Sequence, residues 1–263
     1  MQPGGAGRVL TAAPPPPRPL GLPARSALPA VLALALAGCA LAGCGTDAAP
    51  PAATEADRLL ANVTGDAFAD AFDRLEAQGY TADLAVTERD GAGAEVGRSA
   101  LAVRGRGGAV RVEGRRGSGT LAEPADAPPR LRDPLGAALP AEPAFVDPAS
   151  RDQYRRAVVG DTAVAGRRLR VVEAVLLDGD AEQQVRRVRA AVEPETAQPV
   201  VVEVERRADS AVYAEASRVR VALAPGPGGA WLPRTVETDT RTDVPLADPV
   251  RLRTAWTVRA GRD

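Results

Sequence analysis

The chain has no histidine, no lysine and no isoleucine, a single asparagine at Asn62, two cysteines at Cys39 and Cys44, and only 3% aromatic residues. Each absence removes a class of chemistry. Without histidine there is no Ser–His–Asp relay, and the usual general base and commonest metal ligand are missing. No Gly-x-Gly-x-x-Gly or Walker pattern occurs, so no phosphate-cradling nucleotide loop is encoded. All 33 basic residues are arginine, which reads as the codon bias of a GC-rich genome rather than a selected arginine surface. What remains in quantity is Val, Ala, Arg, Asp, Glu, Gly and Pro.

The longest apolar run, Ala27 to Gly45, reaches two consecutive Leu-Ala-Gly-Cys tetrapeptides that end at Cys39 and Cys44, with Arg18 and Arg25 ahead of it. A positive flank, an apolar centre and small residues before a cut describe a secretory signal. The tetrapeptide resembles the bacterial lipobox, whose cysteine becomes the acylated first residue of the mature lipoprotein. An uncleaved span fits less well, because it needs about 20 apolar residues and this run is shorter, with Pro29 near its start. Cys44 is the expected attachment site and Cys39 the alternative, since Gly45 to Thr54 makes a small, polar, Pro-containing tether. Acylation at a cysteine adds about 0.8 kcal/mol per buried methylene, which makes two or three chains a permanent anchor. It also leaves no thiol for a nucleophile, a zinc site or a disulfide.

The expected organisation is therefore a leader and signal over residues 1–43, a flexible tether over 44–54 and one domain over 55–260. Residues 1–43 hold Arg8, Arg18 and Arg25 and no acid, so the part from Cys44 onward is mildly acidic. That balance gives no reason to expect nucleic acid as a partner.

Within the domain the hydrophobic period changes once. Phe68, Ala71, Phe72 and Leu75 follow i, i+3, i+4, i+7 spacing, with Asp66 or Thr64 placed to cap and Gly79 to stop a helix over 66–78. From Tyr80 to Arg259 the period is two. Ala82, Leu84 and Val86, then Ser99, Leu101 and Val103, then Val110 and Val112 each share a face, and Gly-rich joints separate them. Glu123 to Pro148 carries seven prolines, and Leu131, Leu135, Leu139 and Phe145 mark it as a flap that packs over the sheet. Beyond it a hairpin runs from Tyr154 to Val159 and back over Arg167 to Leu177, with Asp161 to Gly166 as its turn.

Then Val188, Ala190 and Val192 face Val200, Val202 and Val204 across the turn Glu193 to Pro199, placing Arg187 and Arg189 opposite Glu203 and Glu205. Val219, Val221 and Leu223 precede a second Gly-Pro turn, Trp231 to Val244 returns, and Val250, Leu252, Thr254, Trp256 and Val258 form the inner face of a last strand. The fold class is mainly β with a few helices: a large curved antiparallel sheet, an unclosed β-barrel, covered by the N-terminal helix and the Pro-rich segment.

This order of elements, with the turn Val192-Glu-Pro-Glu-Thr-Ala-Gln-Pro199 and Trp231-Leu-Pro-Arg234, resembles the lipoprotein carrier proteins of the LolA and LolB type. The resemblance implies a half-barrel whose concave face receives acyl chains. It makes the concave residues Phe68, Phe72, Val188, Val202, Val204, Val221, Leu223, Leu252 and Trp256 the candidate ligand contacts. It implies no catalytic residue, no metal and no cofactor. With Gly45 after the cysteine and Asp47 only further on, it also implies sorting to the outer membrane, facing the periplasm.

The expected function is that of a non-enzymatic, lipid-anchored envelope protein whose half-barrel binds a lipid or lipidated chain. The alternative is a structural or protein-interaction module of the envelope, with its interior packed by the small Val and Ala side chains. Asp178-Gly-Asp180 lacks the ligand spacing of a calcium loop and reads as an acidic turn.

Overall fold

A computed structural model describes residues 53–118, 129–178, 184–210 and 212–261. Cys39, Cys44, most of the tether, the first part of the Pro-rich segment and Asp180 lie outside the described residues.

All ten strands belong to one antiparallel sheet. They are β1 (Tyr80–Arg89), β2 (Glu95–Arg106), β3 (Ala109–Gly117), β4 (Tyr154–Val164), β5 (Arg167–Leu176), β6 (Val185–Val192), β7 (Pro199–Asp209), β8 (Ala214–Pro225), β9 (Trp231–Asp243) and β10 (Val250–Ala260). Their order is β3-β2-β1-β10-β9-β8-β7-β6-β5-β4. Every neighbour but one is a sequence neighbour. The exception is β1 against β10, which runs in continuous register from Tyr80↔Ala260 to Arg89↔Arg251 and stitches the first three strands to the end of the meander. The sheet is unclosed, with β3 and β4 at its edges.

Two hairpins use two-residue turns at left-handed backbone angles, the geometry that matches strand twist. Gly107 and Gly108 join β2 to β3 at φ 56° and 78°. Ala165 and Gly166 join β4 to β5 at φ 50° and 78°. The second corrects the expected turn over Asp161 to Gly166, because β4 continues through Asp161, Thr162 and Ala163, paired with Arg170, Leu169 and Arg168. These residues are polar or small and exposed because β4 is an edge strand, so they carry no alternation to read.

Three helices cover one face. The six-residue α1 (Glu55–Leu60) opens with a capping box: Thr54 Oγ1 accepts from the Asp57 amide at 3.2 Å, and the Thr54 amide donates to Asp57 Oδ2 at 2.9 Å. The main helix α2 (Gly65–Gln78) starts at Thr64, whose hydroxyl accepts from the Ala67 amide, and stops at Gly79 with φ 81°. Its buried residues are Phe68, Ala71, Phe72 and Leu75, the four that the spacing selects. Helix α3 (Asp133–Ala138) lies within the Pro-rich segment, where Leu131, Leu135, Leu139 and Phe145 are all buried. The helices α1, α2 and α3 contact β4 and β5, β9 and β2, and β8 and β7 respectively. Their apolar faces and the inner face of the sheet merge into one hydrophobic cluster.

Candidate functional site

The inner face of the sheet divides into two zones along the strand direction. In the deeper zone Leu84, Val103, Val172, Val188, Val202, Val221, Leu223 and Trp256 are buried in one hydrophobic cluster with the apolar faces of the helices. Of the nine residues singled out as ligand contacts, Phe68, Phe72, Val188, Val202, Val204, Val221, Leu223 and Trp256 are 0–3% exposed, and Leu252 is half-buried. The structure therefore brings all nine onto one face and fills the space before them with the protein's own side chains.

The second zone lies towards the end of the sheet that carries the β1–β2, β7–β8 and β9–β10 turns, and there the inner face changes character. One cross-strand row reads Val86, Thr254, Thr238, Val219, and the next reads Glu88, Leu252, Thr240, Ser217, Arg206. Thr238 and Thr254 share a hydrogen bond at 2.6 Å between their hydroxyls. Arg206 donates to the Ala137 carbonyl of α3 at 3.0 Å and to Gln184 Oε1 at 2.7 Å, tying the helical cover to this row. Thr238, Thr240, Thr254, Ser217 and Leu252 are half-buried. Around this end stand Val96, Leu177, Val212, Tyr213, Val244, Leu246 and Val250, seven of the eight large apolar side chains that are exposed among the described residues. Val250, expected to face inward, is 50% exposed because it begins its strand at this rim.

The opposite end is held by polar contacts. Trp231 donates its indole N–H to Glu193 Oε1 at 3.0 Å, Arg167 donates to the same carboxylate at 2.9 Å, and the Arg167 guanidinium lies 5.1 Å over the Trp231 ring. Burial pushes the Glu193 carboxyl up, but hydrogen bonds from Arg167, Thr196 and Trp231 outweigh it and hold the group below its ordinary value. Asp57 follows the same logic: burial opposes ionisation, and the Thr54 amide and hydroxyl together with Arg156 prevail. Back at the rim end, where β4 and β6 begin, Tyr154 donates to the Val185 carbonyl at 2.8 Å, and burial drives its hydroxyl up to about 12 against the opposing charge of Arg186.

On the outer face arginines and acids alternate as the strand pattern implies, with one redistribution. Arg187 stands opposite Glu205 in register and pairs with it at 3.9 Å but bonds Glu173 of β5 more closely, at 2.5–2.9 Å, while Glu203 and Glu205 are also engaged by Arg218 of β8. Among the described residues no group of three acidic or cysteine side chains is placed to hold a metal ion.

No protein-family model matches the chain. No curated protein matches it either. Among solved structures it is similar to a LolA superfamily protein from Nitrosomonas europaea, at 12% identity and TM-score 0.26, covering 76% of this chain and 96% of that one. It is similar to a putative outer membrane lipoprotein-sorting protein domain from Vibrio parahaemolyticus at 13% identity and TM-score 0.27, covering 77% and 95%. It is also similar to a chain of the Pseudomonas aeruginosa MucA/MucB complex at 13% identity and TM-score 0.22, covering 80% and 100%. Likenesses at this level leave the fold to be argued from the sheet itself, which is unclosed, antiparallel and covered by helices on one face.

Proposed function

We propose that this protein is a non-enzymatic binding module of the bacterial cell envelope, anchored through an acylated Cys44, whose inner face takes an acyl chain of a lipid or a lipidated protein. The carrying observation is the gradient along that face, from an apolar depth under helices to a hydroxyl-lined, half-buried end with an apolar rim. An amphipathic ligand matches such a gradient, with its chain in the depth and its polar part among Thr238, Thr240, Thr254 and Ser217. Entry requires α2 to lift from the sheet. That costs the packing of Phe68 and Phe72 on the sheet, and a chain inserted there makes apolar contacts on both of its sides in return. Each methylene removed from water contributes about 0.8 kcal/mol.

Trp256 lies on this face, so a fatty acid brominated along its chain should quench its fluorescence in the full chain, with Trp231→Phe removing the background. Quenching that saturates at one equivalent is expected. Unquenched Trp256 emission at concentrations that saturate other fatty-acid binders would end the proposal.

The burial of the eight deep contacts favours a second reading, in which the filled interior is permanent and the module engages another envelope protein. Its exposed edge strands β3 and β4 suit strand addition.

A further inference from the structure

A basin of about 720 Å³ opens where α2 ends and β1, β2 and β10 reach the end opposite the apolar rim. Four of its eleven lining residues are arginines, Arg104, Arg106, Arg234 and Arg259, and none is acidic. Strand register explains three of the positions. Arg104 of β2 and Arg259 of β10 are both opposite Thr81 of β1, so two guanidiniums flank one hydroxyl across three adjacent strands, and Arg106 follows Arg104 on the same face. Arg234 is held in place by donating to the Val258 carbonyl at 2.7 Å. The stem of Arg106 leans on Gly79, with its Cγ 3.6 Å from where a Cβ would stand.

Nearby carboxylates balance only part of this charge. Arg104 pairs with Glu113 at 2.9 Å and Arg259 with Asp83 at 2.6 Å. Arg106 and Arg234 make no ion pair among the described residues, and Glu76 sits beside the β2–β3 turn without lining the basin. The other large basin, at the rim end of the sheet, differs in being lined by acids as well. There Arg207, Arg218, Arg241 and Arg251 each bond an acid, and Asp90, Glu205 and Asp239 line the space with them.

We infer that this basin is an oxyanion site for a phosphate ester. A tetrahedral anion with several acceptor oxygens suits convergent donors of the guanidinium kind better than a single carboxylate does, because each fork can engage two oxygens. The hydroxyl of Thr81 supplies a further donor between Arg104 and Arg259. The inference stands apart from acyl-chain binding, since Arg104, Arg106, Arg259 and Thr81 stand on the outer face, and Tyr80 and Gly105, which close the basin from the inner face, are not among the candidate chain contacts. The phosphate has two sources, a soluble ester or a phospholipid headgroup.

The test is calorimetric titration of the full chain in neutral detergent with glycerol 3-phosphate and, separately, with dihexanoyl phosphatidylglycerol below its micellar concentration. Arg106→Gln is the informative variant, because the side chain is exposed and makes no ion pair with any described residue. Arg155→Gln, an exposed charge on β4 outside the basin, is the control. Binding of either probe that Arg106→Gln weakens about tenfold, or about 1.4 kcal/mol, and Arg155→Gln leaves unchanged is expected. Binding of both probes indicates any phosphate ester, and binding of the lipid alone indicates a headgroup. The inference is overturned if neither probe binds, or if both variants weaken binding equally.

Discussion

Trp231 and Glu193, separated by 38 residues, are joined by a hydrogen bond of 3.0 Å from the indole N–H to Oε1. The bond links the β6–β7 turn to the start of β9, and Arg167 closes the group by bonding Glu193 and covering the indole ring. Trp231→Phe should keep the ring's burial and lose the bond. A destabilisation of about 1–2 kcal/mol in denaturant unfolding is expected, and a variant as stable as the parent would show that the bond is dispensable.

The same carboxylate sets the acid limit. In the folded state Glu193 and Asp57 bind protons less readily than in the unfolded chain. Their contribution is complete above the ordinary carboxylate range and is lost as pH falls through their depressed values. Denaturant midpoints should therefore fall as pH drops below about 4.5. In Trp231→Phe this decline should be shallower, because one of the bonds that depress Glu193 is gone.

At the alkaline end burial raises both Tyr80 and Tyr154, and Tyr154 further. Its hydroxyl is raised to about 12, so the stability it contributes is complete below its ordinary value near 10 and is lost as pH rises from there through 12. Tyr154→Phe should flatten unfolding curves over that interval, at the cost of leaving the Val185 carbonyl without its donor. An unchanged alkaline transition would assign it to another group.

Much of the fold was legible because the core is built from local periodicity. Phe68, Ala71, Phe72 and Leu75 declare the main helix, and the Val and Leu alternation from Ala82 to Val258 declares strand after strand. Two features left no local trace. The pairing of β1 with β10 joins Tyr80 to Ala260, and no hairpin turn links them. The basin likewise depends on register: Arg104, Thr81 and Arg259 become neighbours only once that pairing is known. The change of the inner face from valine to Thr238, Thr240 and Ser217 was visible as alternation, but its half-buried state depends on where the helices end.

Gly105, inside β2, offers a packing test. A Cβ there would fall 2.3 Å from the Tyr80 ring, which lies over the glycine. Gly105→Ala should destabilise by about 1–3 kcal/mol. Combining it with Tyr80→Leu should cost less than the two changes added together, because the clash is gone. Additive costs would place the ring elsewhere.

Removing the deep aromatic contacts tests the helical cover. Phe68→Ala and Phe72→Ala should each cost about 3–5 kcal/mol, as for other buried phenylalanines. If the inner face takes an acyl chain, either variant should recover part of that loss when a fatty acid is added, since the ligand fills the space vacated. Thermal unfolding with and without fatty acid reads both effects.

The most direct measurement is the lipid content of the full chain purified from bacterial membranes, counted by native mass spectrometry after exchange into a non-lipid detergent. A non-covalent lipid near one per chain, counted separately from any acyl group on Cys44, is the result expected of an inner face that binds acyl chains. Chains that carry no non-covalent lipid, in every preparation and after incubation with excess lipid, would contradict it.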